Sequence, residues 1–268
     1  METSWTTLIR TSATDWSAVR HSLSLDGDVV LVTGASSGIG AETCRVVAEL
    51  GGTVVGQGRD SARLSGVIDS LAGNGHVGVV QSLSPESAGG LVEQACLRAG
   101  PLSGVVHAAG HHSLRPIAAS RPDDYREMFD LNAAAAFEIV RVLRAPRLRG
   151  DSLSIALVGS TAAHVGEPAV SAYAASKGAL ESYCRAAAAE LASLRIRVNC
   201  IVPGMVETPM TRRTLATLGD EAAEEIRKRH PWGLGTPAQV AWPIAFLLSP
   251  AASWISGSSI VVDGGYSN

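Results

Sequence analysis

A phenol, an ammonium and a hydroxyl occur in this chain at spacings suited to proton chemistry. Tyr173 and Lys177 stand four residues apart in Ser171-Ala-Tyr-Ala-Ala-Ser-Lys177, so on a helix they share a face and can address one small molecule. Ser160 precedes the tyrosine by thirteen positions. A free phenol ionises near pKa about 10, too high to trade protons at neutral pH, and a nearby cation lowers it by stabilising the phenolate. Of the 22 basic residues only Lys177 and Lys228 are lysines. A chain that otherwise uses arginine has placed a compact, titratable cation here, which counts against the plainer reading of an apolar stripe beside a surface charge.

A second cluster has the chemistry of phosphate binding. Thr33-Gly-Ala-Ser-Ser-Gly-Ile-Gly40 follows the apolar run Val29–Val32 and precedes a stretch with helical spacing. At such a strand-to-helix turn, Gly34, Gly38 and Gly40 let backbone approach a pyrophosphate, with Ser36, Ser37 and Ile39 between them. The helix N-terminus supplies free N–H groups and partial positive charge. The spacing is G-x-x-x-G-x-G rather than the G-x-G-x-x-G of most long dehydrogenases. The second strand ends Val55-Gly56-Gln57-Gly58-Arg59, without the carboxylate that commonly holds the adenosine ribose of NAD. Gly58 leaves room for a 2′-phosphate and Arg59 can bind it through charge-assisted hydrogen bonds, so NADP is favoured. NAD remains the alternative, because an arginine can also stack on adenine.

The elements that must position these groups alternate. Strand-like segments at 29–32, 53–55, 77–80, 105–106, 153–158, 197–201 and 260–262 are separated by helical stretches at 38–50, 62–71, 85–99, 123–148 and 172–194. This alternation predicts an α/β fold, a doubly wound Rossmann-type parallel sheet of about seven strands with helices on both faces and ligands at the strands' carboxyl ends. Residues 27–268 read as one domain and 1–26 as an appendage of unreadable role. The polar segment 205–232 reads as a lid over the site. Thr236-Pro237 looks like a helix cap with proline in the first turn. Pro243 should kink the helix that follows or mark its true beginning. Arg141, Arg144, Arg147 and Arg149 read as the end of the 123–148 helix, where cations are favoured.

Composition excludes other classes. At 268 residues, 46% hydrophobic, with a formal net charge of −3, the chain can bury a large core and has no general attraction for nucleic acid or anionic membrane. Cys44, Cys96, Cys184 and Cys200 are scattered, with neither disulfide nor metal-ligand spacing, and read as small buried hydrophobes in a reducing compartment. No apolar run reaches membrane-spanning length and no secretory leader pattern opens the chain, so a cytoplasmic protein without a metal is expected.

From Asp28 to Tyr266 the chain resembles the short-chain dehydrogenase/reductases, in the form similar to 3-oxoacyl-carrier-protein reductase-like enzymes. The resemblance rests on Thr33-Gly-x-x-x-Gly-x-Gly40, Ala108-Ala-Gly110, Asn132, Ser160, Tyr173-x-x-x-Lys177, Pro203-Gly204, Thr208 and Val262-Asp-Gly-Gly265. It implies Tyr173 as general acid and base, Ser160 on the substrate oxygen, and Lys177 on the nicotinamide ribose, lowering the tyrosine pKa. It implies that Asn132, in a distorted helix, holds a relay water near Lys177. Ala108 and Gly110 would touch the cofactor, Pro203, Gly204 and Thr208 would border the nicotinamide, and Ser82-Leu83 would lie by the adenine. The chain departs from the pattern with His107-Ala-Ala-Gly110 for Asn-Asn-Ala-Gly and with Ser82 for an Asp or Asn.

The implied activity is NADP(H)-dependent interconversion of a small carbonyl and a secondary alcohol, in a homo-oligomer, tetramer or dimer. The alternatives are an NAD-dependent alcohol dehydrogenase on the same site and a non-catalytic dinucleotide sensor. His111, His112, His164, Val165, Met205, Met210 and Trp232 fall in loops expected around the reacting carbon. Their directions are not fixed by sequence, and the substrate stays open among acyl-thioester, sugar, steroid and small ketone.

Overall fold

Strand and helix alternate as expected, around a sheet in which the glycine turn and Ser160 both follow the carboxyl ends of interior strands. A computed structural model describes residues 22–267. All but the last five residues of the 1–26 appendage therefore lie outside the described residues. The strands are β1 (Val29–Thr33), β2 (Thr53–Gly58), β3 (Val77–Val80), β4 (Leu102–His107), β5 (Arg149–Val158), β6 (Ile196–Pro203) and β7 (Ser259–Val262). They form one all-parallel seven-stranded sheet in the order β3-β2-β1-β4-β5-β6-β7. The chain moves outward from β1 to β3 and then returns to the other side of β1 at β4. The crevice at that reversal is where parallel sheets bind ligands.

Each central strand is buried on both faces, which is why it reads as a continuous apolar run. Leu31, Val105 and Ile155 face a layer with Leu91, Ile139 and Leu180, while Val30, Val32 and Val106 face one with Cys44, Val47, Leu64 and Ile244. The first layer comes from α3 (Pro85–Ala99), α5 (Ala135–Val142) and α6 (Ser171–Leu191), the second from α1 (Gly38–Glu49), α2 (Ser61–Ile68) and α9 (Pro237–Leu248), with α4 at Pro122–Phe129. α2, α3 and α9 start at side-chain caps from Asp60, Ser84 and Thr236. Pro237 opens α9, which runs through Pro243 rather than beginning there.

Three expectations are corrected. The 123–148 helix is three pieces: α4, a π-helical turn at Asp130–Ala134, and α5, followed by a 3₁₀ turn at Pro146–Leu148. Proline at 146 has no N–H to extend α5. The arginine cluster is consequently not one helix end: Arg141 lies in α5's last turn, paired with Glu138 at 2.5 Å, whereas Arg149 opens β5. The 62–71 helix ends at Ile68, with Ser70 bonding back to Val67. Of the cysteines, Cys44, Cys184 and Cys200 are buried and Cys96 is half-buried, all as free thiols.

Polar side chains from the sheet close the end of α9. Arg197 donates to the Leu247 carbonyl at 2.9 Å and the Ile255 carbonyl at 3.1 Å, and Asn199 and Ser154 reach the same two acceptors. Burial holds the Arg197 guanidinium below its ordinary pKa. Hydrogen bonds from charged donors are each worth about 1.5–3 kcal/mol. Replacing Arg197→Met, which keeps the apolar stem, should lower unfolding free energy by about 2 kcal/mol in urea titration; an unchanged midpoint would show that the clamp adds nothing.

Candidate active site

The glycine turn between β1 and α1 is shaped by what cannot fit. Gly34 and Gly38 adopt φ of 68° and 57°, the left-handed region that favours glycine. A Cβ on Gly34 would lie 2.8 Å from the Ala109 backbone, and one on Gly40 2.4 Å from the Gly34 carbonyl oxygen. Ser37 precedes α1 without capping it, and no acidic residue occupies its first turn. The N-terminal N–H groups of α1 therefore have no side-chain cap and no carboxylate in the first turn. Gln57 holds the turn from beneath, accepting from the Gly34 N–H at 3.1 Å and donating to the Gln81 carbonyl at 2.7 Å.

One cleft of about 480 Å³ runs from this turn, past Arg59 and Arg63, to Ser160, Tyr173 and Lys177. Asp60 is turned away from it, capping α2 at the Arg63 N–H and bonding the Arg63 side chain at 2.8 Å. Those bonds hold its carboxyl below the usual range. A Cβ on Gly58 would meet Ser36 at 3.1 Å.

Tyr173 and Lys177 lie one turn apart on α6, and Ser160 caps the short 3₁₀ turn after β5. The Lys177 ammonium donates to the Val158 carbonyl at 2.7 Å and sits 5.9 Å from the Tyr173 ring centre. Burial pushes its pKa down to about 8. Burial also raises the Tyr173 phenol, with the Ser160 hydroxyl pulling the other way. The expected lowering by the cation does not appear: desolvation dominates, and it is Ser160 rather than Lys177 that opposes it. Asn132, fully buried in the π-helical turn, accepts from the His111 N–H at 2.7 Å and donates to the His111 carbonyl at 2.9 Å and Ser176 at 3.0 Å. Ser176 in turn donates to the Tyr173 carbonyl. Asn132 stands behind the cleft wall rather than on it, beside Gly110, which faces both Asn132 and Lys177.

A family model described as enoyl-(acyl carrier protein) reductase matches residues 34–267. A 3-oxoacyl-(acyl-carrier-protein) reductase from Thermotoga maritima is 31% identical over 245 residues, covering 90% of this chain and 98% of the relative. The chain belongs to the short-chain dehydrogenase/reductase family of oxidoreductases. A cyclopentanol dehydrogenase from Comamonas testosteroni is 32% identical over 245 residues, 89% of this chain and 96% of that one. A solved Beutenbergia cavernae structure, provisionally named an NAD(P)-dependent gluconate 5-dehydrogenase and holding NADP at low occupancy, shares 32% identity and a TM-score of 0.83 over 91% of this chain and 98% of its own.

Of the residues singled out from the sequence, Gly34, Ser36, Ser37, Gly38, Ile39, Gly40, Arg59, Leu83, Ala108, Gly110, Ser160, Tyr173, Lys177, Pro203, Gly204 and Thr208 line the cleft. Ser82 does not; its carbonyl accepts from Ser87 at the start of α3. Among the loop candidates His112, Met205 and Met210 reach the wall. His111 serves through its backbone, His164 is bound to Glu181 at 2.9 Å, and Trp232 is 88% exposed. Gln57, Arg63, Glu167, His230 and Tyr266 also line the cleft and were not anticipated. Only Gln57 carries a local signal, a polar residue inside an otherwise apolar strand. No metal-binding cluster and no helix able to cross a membrane occurs among the described residues.

The buried ammonium should leave a signature in stability. Lys177 titrates near 10.5 when unfolded and near 8 when folded. Between those values the unfolded chain binds more protons, so the penalty for burying the charge is full below pH 8 and fades as pH rises toward 10.5. Comparing urea unfolding of the wild type with Lys177→Met across this range, the wild type should gain on the variant as pH rises. A pH-independent difference would show that Lys177 keeps an ordinary pKa.

Proposed function

We propose that this chain is an NADP(H)-dependent oxidoreductase that interconverts a carbonyl and a secondary alcohol, in the manner of a ketoreductase. The observation that carries the reading is the cleft joining the glycine turn and two arginines to Ser160, Tyr173 and the buried Lys177. A dinucleotide fits the cleft: its pyrophosphate would lie against Gly34–Gly40, its adenosine 2′-phosphate by Arg59 and Arg63, and its nicotinamide end by Pro203, Gly204 and Thr208. When bound, the nicotinamide supplies hydride to the carbonyl carbon or accepts it from the alcohol. The NADP in the Beutenbergia cavernae neighbour supports this choice over NAD.

Everything else falls to the chain's own groups. The Ser160 and Tyr173 hydroxyls hydrogen-bond the reacting oxygen, where negative charge builds during reduction. The phenolic proton passes to that oxygen in reduction and is taken back in oxidation. Lys177 holds positive charge beside the phenol, and Asn132 positions Lys177's surroundings through His111 and Ser176. Burial excludes bulk water, which strengthens each of these interactions. Residues 27–268 act as one domain, with α7 (Pro209–Leu218) and α8 (Asp220–Lys228) as a lid carrying Met210, Thr211, Arg213 and Thr214 to the cleft. The exposed Val261 on edge strand β7 and Trp242 on α9 fit a homo-oligomer, and four free thiols fit the cytoplasm.

Two substitutions test the reading. Tyr173→Phe keeps the ring and removes the proton, so it should bind NADPH as the wild type does while kcat falls at least about a hundredfold on a carbonyl panel. Retention of most turnover would remove Tyr173 as the acid. Arg59→Ala should raise KM for NADPH about tenfold or more and leave KM for NADH nearly unchanged, since only NADPH carries the phosphate. Equal effects on both cofactors would favour NAD.

A further inference from the structure

Resting on the reading above, we infer that His112 is a positioning residue that joins the lid helix α7 to the ring of Tyr173, so that docking of the lid and alignment of the phenol are one event. The imidazole and the Tyr173 ring meet edge to face, with centroids 4.7 Å apart and an interplanar angle of 79°. Aromatic quadrupoles favour that arrangement. On its other side the imidazole places Nδ1 3.2 Å from the Thr214 hydroxyl of α7, and His112, Tyr173 and Thr214 all line the cleft. The backbone beneath the ring is fixed as well. Asn132 accepts from the His111 N–H and donates to the His111 carbonyl and to Ser176, and Ser176 donates to the Tyr173 carbonyl. His112 and Tyr173 therefore stand on one frame.

The lid helices have no other polar tie of this kind. The segment that carries them is closed at its base, where the Gly235 N–H donates to the Met205 carbonyl at 3.0 Å and the Glu207 N–H to the Gly235 carbonyl at 2.8 Å. Between those stems, the Thr214–His112 contact is the one hydrogen bond, among the described residues, from α7 or α8 to the rest of the domain. It holds for either tautomer. With the Thr214 hydroxyl donating to the Met210 carbonyl at 3.2 Å, its oxygen accepts from Nδ1–H; with the hydrogen on Nε2, the hydroxyl turns and donates to Nδ1. A phenol that must aim its proton at one oxygen loses rate when its ring is free to reorient. The lid thus reaches the proton donor through His112, covering the cleft and holding the ring in the same step.

The test breaks the contact from each side. His112→Phe keeps a ring against Tyr173 and loses the bond to the lid, Thr214→Val keeps the lid side chain's shape and loses its hydroxyl, and Thr214→Ser keeps the hydroxyl. Turnover is measured with NADPH on whichever of cyclopentanone, acetoacetyl-coenzyme A and xylulose the wild type reduces fastest, and amide hydrogen exchange of residues 209–218 is followed with NADPH bound. His112→Phe and Thr214→Val should each lower kcat about fivefold, raise the D2O effect on kcat and speed exchange in α7, while Thr214→Ser stays near wild type. The double variant should lose no more than either single one, because both remove one interaction. NADPH fluorescence titration reports whether His112→Phe is folded; should it not bind, Thr214→Val, which leaves the ring and its frame untouched, carries the same expectation alone. Unchanged exchange in α7, additive losses in the double variant or an equal loss in Thr214→Ser overturns the inference. A wild type that binds NADPH and reduces none of these carbonyls overturns the functional reading instead, and the exchange comparison still decides whether His112 ties down the lid.

Discussion

A primary ammonium withdrawn from water inside a cleft is the constraint around which this molecule is organised. Lys177 is 4% exposed, and without an acceptor its charge would simply be lost to a lower pKa. The Val158 carbonyl at the end of β5 supplies one acceptor at 2.7 Å. That geometry requires β5 to end one residue before Gly159 and α6 to return over it. It also requires the loop after β4 to be held beside the ammonium, the task of Asn132 on the His111 backbone. The π-helical turn makes this reach feasible, because an inserted residue shifts one side chain off the regular helical face.

The join between β1 and β4 meets the same demand only in part, since His107 Nε2 is buried without a hydrogen-bond partner. Thr33 Oγ1 accepts from the Ala109 N–H at 3.1 Å and bonds His107 Nδ1 at 3.2 Å. His107 is wholly buried, and burial, with Lys177 nearby adding to the effect, pushes its pKa down to about 3. It is therefore neutral wherever the protein is folded near neutral pH. A neutral histidine can hold this strand junction, adjacent to a cation, where a charged one could not. The departure from the family's Asn-Asn-Ala-Gly thus leaves the junction hydrogen-bonded.

What could be read from the sequence is what depends on neighbours along the chain. Val29–Val32, the left-handed glycines and the Tyr173–Lys177 spacing each express a local rule of sterics or periodicity. The break at Asp130–Ala134 could not be read from periodicity, since α and π turns share nearly the same apolar period and differ by one residue; only the family resemblance, which implies a distorted helix at Asn132, pointed to it. Glu167 and Tyr266 are separated by 99 positions, so their meeting is a property of topology, with no signature at either end. The arginine cluster misled for a related reason: charge preference for a helix end says nothing about where the helix stops.

The two ends of the cleft differ in the sign of what they welcome. At one end the uncapped start of α1 and Arg59 offer donors and positive charge, with Arg63 beside them already bonded to Asp60. At the other, Glu167 is bonded by Tyr266 and lies 3.6 Å from Arg229. Ser160, Tyr173 and Lys177 lie in the same cleft with both ends. The buried ammonium of Lys177 thus shares its cleft with one end that offers donors and another whose carboxylate is already paired with an arginine.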